Sequence, residues 1–73
     1  MNFKQLEAFQ AIMASGSATG AAERLRLSQP AISRLLAQFE EDLGLRLFVR
    51  EKGRLLPTRE AEALLQDAQG LMD

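Results

Sequence analysis

The sequence has no cysteine and no histidine. Without cysteine there can be no disulfide and no thiolate metal site, an absence that fits a reducing cytoplasm. Without histidine, zinc and haem lose their usual nitrogen ligand and catalysis loses its commonest general base. No convergent pair of carboxylates appears at a useful spacing, so no enzymatic activity, cofactor or metal is expected. No apolar run approaches the roughly 20 residues that span a bilayer, and the N-terminus lacks the apolar core of a signal peptide. The reading is therefore of a cytoplasmic protein without membrane contact. Ser- or Pro-rich linkers, internal repeats and low-complexity segments are missing as well, so the 73 residues read as one domain. A chain this short buries only about 60% of its unfolded surface, and dimerisation is one common remedy for the thin stability that results.

Net charge is small, but the charges are unevenly spread. The formal net charge is −1. Up to Arg59 nine basic residues stand against six acidic ones, leaving +3. Beyond it come Glu60, Glu62, Asp67 and Asp73 with no base, leaving −4. The field at a polyanion depends on where charge sits rather than on its sum, so a basic surface followed by an acidic tail is compatible with nucleic-acid binding.

The stretch from Ala21 to Leu43 carries the strongest pattern. Ser28 is a candidate N-cap and Pro30 falls in the first turn of the helix that follows, where its missing N–H costs little. Ile32, Leu35, Leu36, Phe39 and Leu43 then form one apolar stripe. At helical pitch the opposite side carries Pro30, Ser33, Arg34, Ala37 and Glu41. A greasy back and a small, hydrogen-bonding front suit a helix pressed into a DNA major groove, with Gln29 and Arg34 supplying donors for adenine and guanine edges. An amphipathic helix on any small core shows the same stripe, so the flanking segments must discriminate.

Those flanks run as follows. Asn2 can cap a first helix whose Phe3, Leu6, Phe9, Ile12 and Met13 share a face, and Ser15-Gly16 ends it. Ser17 starts a short second helix, with Ala21 and Ala22 allowing close approach and Leu25 and Leu27 supplying core. Gly20 weakens that helix by about 1 kcal/mol relative to alanine. Ser17 and Thr19 could meet phosphate at the helix end or serve only as ordinary caps. Glu40, Glu41 and Asp42 crowd the last turn of the third helix, where the dipole disfavours acids, so its N-terminal half is the part suited to phosphate. Leu47 to Arg50 and Arg54 to Pro57 flank Glu51-Lys52-Gly53, a hairpin with Gly53 at the tight position and Phe48 and Leu56 as anchors. Arg50, Lys52 and Arg54 gather at its tip, as a wing on phosphates or in a minor groove would require, although solvated turns are often charged too. Thr58 caps a fourth helix whose Ala61, Leu64, Leu65, Ala68, Leu71 and Met72 form a seam suited to the same helix of a second copy. The expected fold is mainly α, a winged helix-turn-helix. A three-helix core carries a short β-hairpin wing, and residues 58–73 form a linker and dimerisation helix after a reading domain at residues 1–57.

These residues together resemble the N-terminal domain of LysR-type transcriptional regulators. The matching features begin with Asn2, Gln5-Leu6, Phe9, Gly16-Ser17 and Ala21-Ala22-Glu23-Arg24-Leu25, and continue with Ser28 through Arg34. Phe39-Glu40, Leu43-Gly44, Arg46-Leu47-Phe48, Arg50, Thr58 and Glu60-Ala61 complete them, across essentially the whole chain. The resemblance implies a bacterial regulator that binds promoter DNA as a homodimer, or a tetramer when full-length. It implies base contacts from Gln29, Pro30, Ser33 and Arg34 on a recognition helix at residues 29–43. Phosphate contacts are implied for Ser17, Thr19 and Ser28, with the wing at residues 50–54. It further implies a C-terminal domain, not encoded here, that binds a small-molecule effector. Ala18 stands where the family commonly has an aromatic, and Gly20 where it has a larger, often polar residue. Pro57-Thr58 resembles the branch that includes regulators of lysine, arginine and opine metabolism. The rival expectation is a protein-interaction module that exposes its apolar seam to a partner helix.

Overall fold

Every helix of the chain begins on a side chain that accepts a backbone N–H. The computed structural model describes residues 2–72 in backbone and residues 2–68 in side-chain surroundings. In α1 (Phe3–Ser15) Asn2 Oδ1 accepts from Gln5 N at 2.8 Å, and Gln5 Oε1 accepts from Asn2 N at 3.0 Å, a reciprocal capping box. Ser17 accepts from Gly20 N at 3.0 Å ahead of α2 (Ala18–Leu25), and Ser28 from Ala31 N at 3.2 Å ahead of α3 (Gln29–Leu43). Thr58 accepts from Ala61 N at 3.1 Å at the start of α4 (Arg59–Met72). Gly16 and Gly44 close α1 and α3 in the left-handed conformation.

Between α3 and α4 lie two antiparallel strands, β1 (Phe48–Glu51) and β2 (Arg54–Pro57). Lys52 (φ 51°) and Gly53 (φ 78°) form the two-residue loop, and positive φ at both central positions marks the turn class that matches strand twist. The register pairs Phe48 with Pro57, Val49 with Leu56, Arg50 with Leu55, and Glu51 with Arg54. Side chains alternate across a strand, so Phe48, Arg50, Leu55 and Pro57 share one face.

Phe9 organises the core. Its ring lies 5.9 Å from that of Phe39, edge-on, and 5.9 Å from that of Phe48. This joins α1, α3 and the hairpin through aromatic contacts worth about 0.5–1.5 kcal/mol each beyond their buried area. Ile12, Ile32 and Leu47 are fully buried around them.

Three expectations need correction. Phe3 is 69% exposed, because the buried positions of α1 are Gln5, Ala8, Phe9, Ala11 and Ile12, a stripe rotated away from it. A glutamine is tolerated there because its amide is used at both ends: Oε1 completes the cap and Nε2 donates to Asp42 Oδ2 at 3.1 Å. Leu27 is 43% exposed, since Arg26 takes the left-handed conformation (φ 57°) and carries the chain outward before α3 begins. In the hairpin, Leu55 is the buried anchor at 8% exposure, whereas Leu56 is 40% exposed on the opposite face beside Val49. Gly20 also gains a reason. A Cβ there would sit 2.6 Å from Ser15 Cβ, so the glycine lets α2 start hard against the end of α1.

Candidate nucleic-acid interface

The outer side of α3 is a ridge that mixes small side chains with longer hydrogen-bond donors and carries no large apolar group. Gln29, Pro30, Ser33, Arg34, Ala37 and Gln38 are exposed, while Ile32 and Phe39 on the other side are fully buried. That division follows from the 3.6-residue period and from the anchoring of Phe39 against Phe9. Pro30 stands in the first turn, where Ser28 rather than a preceding helical turn supplies the acceptor for a free N–H.

The ridge is flanked on both sides. Between α3 and the hairpin runs an open groove of about 460 Å³. Ser33 and Ala37 line it from the helix and Arg46 and Arg50 from the hairpin side, over a floor that includes Ile12, Ile32, Phe48 and Leu55. On the other flank a recess of about 310 Å³ is lined by Lys4, Leu27, Ala31, Arg34, Leu35 and Gln38. A narrow ridge between two recesses is the shape that can enter a duplex groove while its shoulders meet the two backbones.

The register divides the basic residues of the hairpin. Arg50 shares a face with the buried Leu55, and both it and its neighbour Val49 border the groove across from Ser33. Arg54 lies on the opposite face, paired across the ladder with Glu51, and Lys52 occupies the loop. All three are exposed.

Ser28 and Thr19 are exposed and Ser17 is half-buried. Ser17 and Ser28 accept cap hydrogen bonds through oxygen lone pairs, and each keeps its O–H as a donor. The capping and phosphate readings of these hydroxyls are therefore compatible.

Two residues here were not legible as contributors. Glu40 Oε2 accepts from Leu47 N at 2.7 Å and from Phe48 N at 3.3 Å, tying α3 to the root of the hairpin. From the other side Thr58 Oγ1 donates to Arg46 O at 2.7 Å, and Thr58 N donates to Leu47 O at 3.0 Å. Residues 46–48 are thus held between α3 and the cap of α4. Beyond its place among the family-matching residues, Glu40 reads in the sequence as one of three acids at an unfavourable helix end; a fold was needed to bring two N–H groups to it. Arg46 is exposed and lines the groove, but sequence offers no signal for this because it precedes the first strand.

On α4, Ala61 and Ala68 are buried in this chain, and Leu64 and Leu65 are half-buried against its core. The side chains of Leu71 and Met72 lie outside the described residues. Among the described residues no helix is long and apolar enough to cross a membrane.

Residues 3–62 match the family of bacterial regulatory helix-turn-helix proteins of the lysR type. The regulatory protein NocR of Agrobacterium fabrum is 52% identical over 64 residues, covering 88% of this chain and 21% of NocR. The transcriptional activator LysR of Escherichia coli is 46% identical over 69 residues, covering 94% and 22%. The chain thus spans about a fifth of the length of the curated relatives it matches. A crystal structure of the CbnR DNA-binding domain in complex with DNA superposes with a TM-score of 0.92 at 38% identity, over 99% of this chain and 83% of that one. The BenM DNA-binding domain, bound to catB site 1 DNA, gives 0.91 at 33% identity, over 99% and 81%. With the four helices, the hairpin and the exposed α3 ridge all in place, the chain belongs to the LysR family of bacterial regulatory helix-turn-helix proteins.

Proposed function

We propose that this chain reads promoter DNA for a transcriptional regulator, with α3 in the major groove and the hairpin over the neighbouring phosphates or minor groove. The observation that carries this reading is the α3 ridge: exposed, polar, bearing Gln29, Ser33 and Arg34, and flanked by recesses with basic residues at their margins. Gln29, Pro30, Ser33 and Arg34 approach base edges. Ser17, Thr19 and Ser28 donate to phosphate, and Arg50, Lys52 and Arg54 serve the wing. Residues 1–57 form the reading domain. Residues 58–73 pair with the same helix of a second copy, using the minor part of Leu64 and Leu65 that this chain leaves uncovered. The setting is a bacterial cytoplasm and its nucleoid, and the parent assembly is a dimer or tetramer with an effector-binding domain. DNA-bound relatives of the same fold support the reading.

The direct test is selection of bound duplexes from a random pool by this chain. The expected result is an enriched motif, repeated as two half-sites about one helical turn or a multiple of it apart. A pool that stays unenriched while the chain remains folded overturns the proposal. Sedimentation at rising concentration tests the α4 pairing, which a persistent monomer contradicts.

A further inference from the structure

We infer that the groove between α3 and the hairpin seats a phosphodiester of the DNA backbone, and that Arg46, together with Arg50, binds it. The inference rests on the DNA-reading proposal and extends it to a residue that proposal does not use.

In a duplex the sugar-phosphate backbone of one strand separates a major groove from the adjacent minor groove. A helix in the first and a hairpin over the second must straddle that backbone, and the space between helix and hairpin is where it passes. Here that space is open, and its charged lining consists of Arg46, Arg50 and Glu40. Glu40 is the group that would repel a phosphate, but its Oε2 is turned onto the N–H groups of Leu47 and Phe48. The two guanidiniums outnumber it. On the helix side the groove is bounded by Ser33, Leu36 and Ala37; Leu36 is half-buried, and Ser33 and Ala37 are short enough to admit a phosphate.

The backbone of Arg46 is restrained as well. Its carbonyl accepts from Thr58 Oγ1, and the next two residues donate to Glu40. An arginine mounted on a fixed backbone loses less freedom on binding, and its planar fork matches two phosphate oxygens. Arg46 thus contacts the strand between the two grooves, a contact that carries affinity and register but no base information.

The test compares this chain with its Arg46→Ala and Arg46→Lys variants on two labelled duplexes, one recovered from the random pool and one of mixed sequence. Arg46 is exposed, and circular dichroism melting checks that each variant stays folded. Arg46→Ala is expected to weaken binding several-fold by the same factor on both duplexes, and to lower the slope of log affinity against log salt by about 0.9 for each bound chain. Arg46→Lys is expected to recover the slope. A single methylphosphonate walked along the selected duplex should reveal one position in each half-site that weakens the parent chain more than it weakens Arg46→Ala, where Arg50 alone still meets that phosphate. An unchanged salt slope, or no such position, overturns the phosphate seat while leaving DNA reading intact. A loss confined to the selected duplex makes Arg46 a base reader and also overturns it. Absence of salt-dependent binding by the parent chain sinks both proposals together.

Discussion

Helix α3 and the hairpin β1–β2 stand on either side of one groove, yet they expose their basic residues for different reasons. On α3 each residue's side follows from its own neighbours. Once Ile32 and Phe39 are buried, the 3.6-residue period forces Ser33, Arg34 and Ala37 outward. On the hairpin the side depends on register, and a slip of one residue exchanges the two faces. The Lys52-Gly53 turn fixes that register, which sets Arg50 beside the buried Leu55 on one face and Val49, Leu56 and Arg54 on the other. A helix face is therefore robust to errors in boundary, whereas a short ribbon turns one such error into a reversal.

The largest effect is expected where the comparison is sharpest. Leu55→Ala should lower stability by about 2–5 kcal/mol, as core truncations of leucine do, while Leu56→Ala should stay within about 1 kcal/mol. Thermal or urea melts separate them, and equal losses would mean that the hairpin is anchored in some other register. On the helix, Arg34→Ala should cost on the order of 1–3 kcal/mol at the selected site and relax the preference for one base pair. An equal loss on selected and mixed-sequence duplexes contradicts base reading by Arg34.

The joint between the two regions comes next. Glu40→Ala leaves the N–H groups of Leu47 and Phe48 without their acceptor, at a cost of about 1–3 kcal/mol. Glu40→Gln keeps a carbonyl oxygen in place and should restore much of it. Melting temperatures that do not distinguish the two variants would show that the hairpin root does not depend on this contact. The smallest effect is expected at the tip. Arg54→Ala, on the outer face, should weaken binding to every duplex alike and lower the salt slope by about 0.9 for each bound chain. A slope that does not move removes Arg54 from the phosphate contacts.

Much of the molecule was legible because its signals are short-range. Asn2, Ser17, Ser28 and Thr58 each act on a residue three positions ahead, so all four helix starts could be read from the chain. Gly16, Gly44 and Gly53 mark turns for the same reason, since all three sit at positive φ. Phe3, Leu27 and Leu56 were misread because an apolar residue at a plausible spacing does not say where the neighbouring element ends. In this chain α1 is rotated, α2 leaves through a left-handed arginine, and the strand faces alternate out of step with the expected anchor.

Local chemistry thus settled where helices begin, where turns fall and which edge of α3 is small and polar, because each of those depends on contacts within a few residues. Packing alone decided that Gln5 reaches Asp42, that Glu40 holds the root of the hairpin, and that Gly20 must be small beneath Ser15. It also decided that Arg46 and Arg50 meet across one groove from Ser33. These partners are distant along the chain or belong to different elements, and no pattern of residue types specifies the angle at which two elements will meet.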